Sequence, residues 1–129
     1  MDSTTDQGVI VTFYSYKGGT GRSMALANSA YLAAKRLSGD ERVLMIDWDL
    51  EAPGLHRYFP EAERDGQQDT PGLIEYFTKL NGILDPATCG LLSGPDGVNM
   101  LESLLPLGDY IVPEVEGRID LLKAGRFCS

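Results

Sequence analysis

The ten residues from Tyr14 to Ser23 constrain this chain more than any other stretch of it. They read Tyr-Ser-Tyr-Lys-Gly-Gly-Thr-Gly-Arg-Ser and join a short apolar run to a long segment of helical character. Glycine has no Cβ atom, so it adopts positive φ angles and lets an anion come close to the backbone. A helix that begins after such a turn adds unpaired N–H groups and the positive end of its dipole. The stretch therefore predicts a phosphate-binding loop.

The segments around this loop predict an α/β fold, with a parallel sheet flanked by helices. Val9 to Phe13 is short, apolar and rich in β-branched residues, as in a strand buried on both faces of a parallel sheet. A helix is expected from Ser23 to about Gly39, and further buried strands at Val43 to Ile46 and Arg118 to Leu122. Thr70 and Pro71 are typical N-cap and N1 residues and predict the start of another helix.

Two acidic residues, Asp47 and Asp49, follow the second predicted strand directly. Ligands of open α/β sheets bind at the carboxyl ends of the strands, so both side chains should lie beside the glycine-rich loop. Alternation along an extended chain places both on the same side. Carboxylates beside an anion site favour a bound Mg²⁺, which prefers oxygen ligands. Asp47 also fits the form of a Walker B acid, and both residues are compatible with a plain solvated strand end.

The loop departs from the standard pattern G-x-x-x-x-G-K-[ST] at two positions. Gly21 and Ser23 fit the pattern, whereas Tyr16 stands in place of the first glycine and Arg22 in place of the lysine. The early Lys17, followed by Gly-Gly-Thr-Gly, instead resembles the deviant Walker A loop of the ParA/MinD/CobQ family of P-loop ATPases. The following Met-Ala-Leu-Ala-Asn is similar to a branch of that family with Arg in place of the second lysine.

This resemblance implies a Mg²⁺-dependent ATP-binding module with slow, switch-like ATP hydrolysis and a nucleotide-dependent homodimer. Lys17 would reach the phosphates of the partner subunit, and Asp49 would position the attacking water. Ser23, Asp47 and Asp49 would hold Mg²⁺. Arg22 retains a positive charge and can bind phosphate oxygens bidentately. The residues implied in nucleotide binding are Lys17, Gly18, Gly19, Thr20, Gly21, Arg22, Ser23 and Met24.

The resemblance covers Val9 to Tyr58 closely and Arg118 to Arg126 more weakly. Later segments of the family, including a strand that ends in Asp-x-x-x-Pro, have no counterpart before Ser129. We therefore expect a disordered N-terminus at residues 1–7 and, at residues 8–129, the N-terminal part of a ParA/MinD-like nucleotide-binding domain in a larger regulatory protein. ATPase activity is expected of the complete domain. Pro53 to Phe59 follows the two acids directly, a position that suits a nucleotide-sensing switch.

Four other interpretations remain open for the same residues. The glycine-rich turn is also compatible with a plain tight turn in which Ser23 is a helix N-cap. A Rossmann dinucleotide turn would require glycine or alanine where Met24 stands. Arg22 and Tyr16 favour a regulatory or scaffolding module that binds nucleotide without turnover. A bacterial tyrosine kinase has related loops, but this chain lacks a tyrosine-rich tail.

Composition excludes several function classes for these 129 residues. A net charge of -8 and a pI of about 4.5 argue against a nucleic-acid-binding face. No apolar run approaches the roughly 20 residues of a membrane span, and the acidic start is unlike a signal peptide. Cys89 and Cys128 lack metal-site spacing and predict free thiols in a reducing compartment, and the single His56 predicts a surface residue. Together these features predict a cytoplasmic protein without a membrane segment.

Overall fold

The computed structural model describes residues 8–64 and 66–126 and has a mixed α/β architecture, with a small three-stranded sheet flanked by helices. The α-helices are α1 (Arg22–Ala34), α2 (Leu73–Ile83), α3 (Pro86–Leu92) and α4 (Gly97–Leu104). The strands are β1 (Val43–Ile46), β2 (Ile111–Glu116) and β3 (Ile119–Leu122). Short 3₁₀ helices cover Leu55–Tyr58, Pro60–Glu63 and Leu107–Tyr110. The prediction of helices flanking a sheet that contains parallel strands is confirmed, while the finer assignment to a P-loop fold stays a prediction.

The sheet is mixed, whereas the sequence predicted a parallel one. Its strand order is β1-β3-β2, with β1 parallel to β3 and β2 antiparallel to β3. Only Gly117 and Arg118 separate β2 from β3. Two residues suffice for a hairpin but not for the crossover that parallel neighbours need, so this pair is antiparallel. The strands at Val43–Ile46 and near Arg118–Leu122 are confirmed.

The expected strand at Val9 to Phe13 is wrong for this structure, because the segment has no regular secondary structure. Val9, Ile10 and Val11 are 88%, 93% and 69% exposed. A buried parallel strand needs hydrogen-bonded neighbours and cover on both faces. Both edges of β3 are already paired, with β1 and β2, and the segment does not join the outer edge of β1. Val9, Ile10 and Val11 therefore stay in solvent, and Phe13 is half-buried.

Apolar side chains pack against both faces of the sheet. On one face α1 contributes Ala27 and Ala30, which pack with strand residues such as Met45 and Leu121. The opposite face buries Leu122 in a second cluster with Leu73 of α2 and its neighbours. β1 is only half covered, since Leu44 and Ile46 are 42% and 40% exposed while Met45 is 3% exposed, so the predicted burial of this strand holds in part.

Helix α2 begins at Leu73, later than its expected start at Thr70 and Pro71. The N–H groups of Leu73 and Ile74 each donate to a backbone carbonyl of the segment after β3, at Lys123 and Ala124, over 2.9 Å. These bonds fix the first turn of α2 against the end of the sheet. Gly72, rather than Thr70, is therefore the N-cap.

None of the helices within the described ranges is long and apolar enough to cross a lipid bilayer. Cys89 is an exposed free thiol, as the sequence predicted. The expectations for residues 1–7 and for Cys128 lie outside the described residues.

Candidate phosphate-binding site

The glycine-rich loop leads directly into α1, as the sequence predicted. Gly19 and Gly21 have φ angles of 71° and 79°, a conformation in which side chains with a Cβ are strained. The first hydrogen bond of the helix runs from the N–H of Ala25 to the carbonyl of Gly21, over 2.8 Å. No described residue accepts a hydrogen bond from the backbone N–H groups of residues 21–24. Such unpaired donors at a helix start are the groups that bind anions in proteins.

Hydrogen bonds around Ser15 hold the loop together. The Ser15 hydroxyl donates to the carbonyl of Lys17 over 3.0 Å and accepts from the hydroxyl of Thr20 over 3.0 Å. Nη1 of Arg22 lies 3.2 Å from the same hydroxyl oxygen. The side chains of Lys17 and Met24 are exposed. The loop is thus ordered by its own polar groups while its outer surface stays open to solvent.

An ion pair joins the loop to the end of β1. Nη2 of Arg22 lies 2.9 Å from Oδ2 of Asp49, and the two side chains are 31% and 36% exposed. Oδ1 of Asp49 also accepts the N–H of Ala52 over 3.1 Å. The sequence placed Asp49 beside the loop, and this contact agrees with it. It also shows that each charge neutralises the other.

Asp47 serves a local structural purpose in this arrangement. The residue is 6% exposed, and its carboxylate accepts the N–H groups of Asp49, Gly54 and Leu55 over 3.2, 3.2 and 3.0 Å. Hydrogen bonds to an ionised acceptor are stronger than neutral ones. Asp47 therefore fixes the return of the chain after β1. Its expected part in holding Mg²⁺ stays a prediction.

The donor types around the loop fit a magnesium ion that is shared with a phosphate. Among residues 8–64 and 66–126, no three His, Cys, Asp or Glu side chains gather closely enough to hold a metal ion by themselves. Mg²⁺ needs only one or two protein carboxylates when substrate phosphates and water complete its shell. The Ser23 hydroxyl and the Asp49 carboxylate carry oxygen atoms of the kind that such an ion binds.

The short 3₁₀ helix Leu55–Tyr58 forms the second wall of a cleft beside the loop. The glycine-rich motif alone did not identify this helix as part of the site. It packs on α1, and together they border a cleft of about 250 Å³ lined by Ser23, Gly54, Arg57 and Tyr58. The sequence suggested a switch at Pro53 to Phe59 but assigned no role to Arg57. The available signal was a basic residue within ten positions of Asp47 and Asp49.

His56 lies within this second wall and is more buried than the sequence predicted, with a side chain only 14% exposed. Burial lowers the pKa of its imidazole, and the negative charge of Glu63 partly offsets this effect. Nε2 of His56 lies 3.8 Å from Oε1 of Glu63. His56 is therefore partly buried, whereas the sequence favoured a surface residue over a catalyst.

Comparisons of the chain with models of protein families, with curated proteins and with solved structures found no match. The resemblance to ParA/MinD-like ATPases thus rests on the loop and on the residues that follow it.

Proposed function

We propose that this chain binds ATP together with Mg²⁺ through the loop from Lys17 to Met24. The observation that carries the proposal is the set of unpaired N–H groups at residues 21–24, which follow two glycines with positive φ. Backbone donors at the start of a 13-residue helix suit a phosphate group. The preference for ATP over other nucleotides rests on the family resemblance of the loop.

We further propose that this binding supports slow hydrolysis of ATP by a cytoplasmic, switch-like protein. Arg22 would neutralise phosphate oxygens, Ser23 would contribute an oxygen ligand to Mg²⁺, and Asp49 would orient water. Phosphoryl transfer to water requires chiefly such positioning and charge. The ion pair between Arg22 and Asp49 would have to open before both side chains could act on a nucleotide.

The same ion pair supports a second candidate function, a regulatory module that binds nucleotide without turnover. An Asp49 carboxylate that remains paired with Arg22 would be poorly placed to orient water. The two candidates differ in one observable quantity, the release of inorganic phosphate after ATP has bound.

Titration calorimetry with ATP, GTP and NAD⁺, each with and without Mg²⁺, tests the proposal. We expect Mg²⁺-dependent ATP binding that weakens about tenfold or more in Ser23→Ala, which corresponds to about 1.4 kcal/mol. Ser29→Ala is the matched control, because Ser29 is an exposed residue of the same helix. ATP at about 100 times its Kd should also stabilise the folded chain by about 2.7 kcal/mol.

The outcomes separate the interpretations. Absence of ATP binding by the folded chain would overturn the proposal, and binding of NAD⁺ alone would favour a dinucleotide site. Binding of ATP without release of inorganic phosphate would select the module without turnover.

A further inference from the structure

Arg57 is a cationic side chain that faces the same cleft as Ser23. The residue is exposed, and its guanidinium forms no hydrogen bond or ion pair with any described residue. It lines the cleft of about 250 Å³ together with Ser23, Gly54 and Tyr58. An arginine without a partner among the described residues, in the same cleft as the expected Mg²⁺ ligand Ser23, is available to an incoming anion.

The backbone that carries Arg57 is anchored on both sides. Before it, the buried Asp47 carboxylate accepts the N–H groups of Gly54 and Leu55. Leu55 and Phe59 are 2% and 5% exposed and belong to the core that includes α1. The 3₁₀ helix between them therefore holds the backbone of Arg57 against the core that includes α1, while the exposed guanidinium can reorient toward a ligand.

The other arginine of the site is already engaged. Arg22 is bound to Asp49 at 2.9 Å and to Ser15, so its charge is partly neutralised before a ligand arrives. Arg57 has no such partner among the described residues. An anion that enters the cleft would therefore meet an uncompensated charge at Arg57.

We propose that Arg57 is a second phosphate-binding residue, which contacts the polyphosphate chain of a nucleotide across the cleft from Ser23. The inference rests on the proposed function and extends it to the segment after β1. Guanidinium groups bind phosphate oxygens bidentately, and such charge-assisted hydrogen bonds are stronger than neutral ones. A bound polyphosphate chain would thereby bridge the glycine-rich loop and the 3₁₀ helix Leu55–Tyr58.

The test compares Arg57→Gln with Arg36→Gln on this chain, with inorganic tripolyphosphate and Mg²⁺-ATP as ligands. Arg36 is exposed, lies just beyond the end of α1, and loses the same charge in its variant. We expect Arg57→Gln to weaken binding of both ligands about tenfold or more, and Arg36→Gln to change it less than about twofold. Arg57→Lys should recover part of the affinity, since lysine retains the charge but not the bidentate geometry.

Equal affinities of Arg57→Gln and Arg36→Gln, in a chain whose wild type binds Mg²⁺-ATP, would overturn the role of Arg57 and leave the proposed function intact. A wild type that binds neither ligand would overturn both. Because Arg57 is exposed, its variant should melt at the wild-type temperature, which separates loss of binding from loss of folding.

Discussion

Residue 72 is a glycine because two stretches of backbone meet there. A Cβ atom at this position would lie 2.4 Å from the carbonyl oxygen of Lys123 and 2.6 Å from the backbone nitrogen of Gly125. Neither backbone atom can move without breaking the hydrogen bonds that attach α2 to the end of β3. We expect Gly72→Ala to lower the free energy of unfolding by about 1 to 3 kcal/mol or more, measured by urea denaturation.

Gly82→Ala is the matched control for this substitution. Gly82 lies within α2, and a Cβ atom there has no neighbour within 4 Å. Alanine is the better helix former, so this variant should be unchanged or more stable by up to about 1 kcal/mol. Similar losses in the two variants would contradict the steric explanation.

The two acids of the site show how far single residues can be interpreted from sequence. The sequence placed Asp47 and Asp49 near the loop, since both follow an apolar strand at the end where ligands bind. The sequence could not identify the hydrogen-bond and ion-pair partners of the two carboxylates. Two of the three N–H groups that Asp47 accepts come from the chain beyond the turn, at Gly54 and Leu55, and Asp49 pairs with Arg22, 27 positions away. Such contacts depend on tertiary packing rather than on local pattern.

At the scale of secondary-structure elements, helix α2 is attached to the segment after β3 through Glu75, an acidic residue in its first turn. The Glu75 carboxylate accepts the N–H groups of Gly72 and Arg126 over 2.7 and 3.1 Å. Burial alone would raise the pKa of Glu75, but these backbone hydrogen bonds outweigh it and lower the pKa below its ordinary value. The stabilisation is therefore complete above the unfolded-state pKa of about 4.3 and is lost as the pH falls through the lower pKa of the folded state.

We expect Glu75→Gln to reduce the free energy of unfolding by about 1 kcal/mol at pH 7, as for loss of a helix cap. The difference from wild type should shrink as the pH falls below about 4, because protonation removes the same charge from Glu75. Urea denaturation at pH 7, 5 and 3.5 measures the difference in the free energy of unfolding between wild type and Glu75→Gln. Glu102→Gln, at an exposed position of α4, should show no such trend. A difference for Glu75→Gln that stayed constant over this range would argue against charged capping.

The predicted elements that form in the structure are those that have partners, since α1 packs on the sheet and β1 pairs with β3. α1 follows the loop as expected, and the apolar run at Val43–Ile46 forms β1 with the expected bounds. Val9 to Phe13 has an equally strong strand pattern, yet it stays unpaired. A strand needs hydrogen-bonding partners from elsewhere, and the pattern of its own residues cannot supply them.

For the molecule as a whole, net charge opposes self-association. Each chain carries a net charge of -8, so two copies repel each other at low ionic strength. A dimer that forms only with nucleotide therefore needs a specific cationic contact across its interface. Lys17 is suited to make this cationic contact, because its side chain is exposed beside the expected phosphate site.

We expect Mg²⁺-ATP to convert the wild-type chain from monomer to dimer in sedimentation velocity at 0.15 M salt, where the Debye length is about 8 Å. Lys17→Ala should weaken this dimer about tenfold or more, because it removes the positive charge that would reach the partner's phosphates. ATP binding by the Lys17→Ala monomer should change much less, since the backbone N–H groups of residues 21–24 remain in place. Lys35→Ala removes the same charge just beyond the end of α1 and should dimerise like wild type. Equal dimerisation by all three chains would show that Lys17 does not act between subunits.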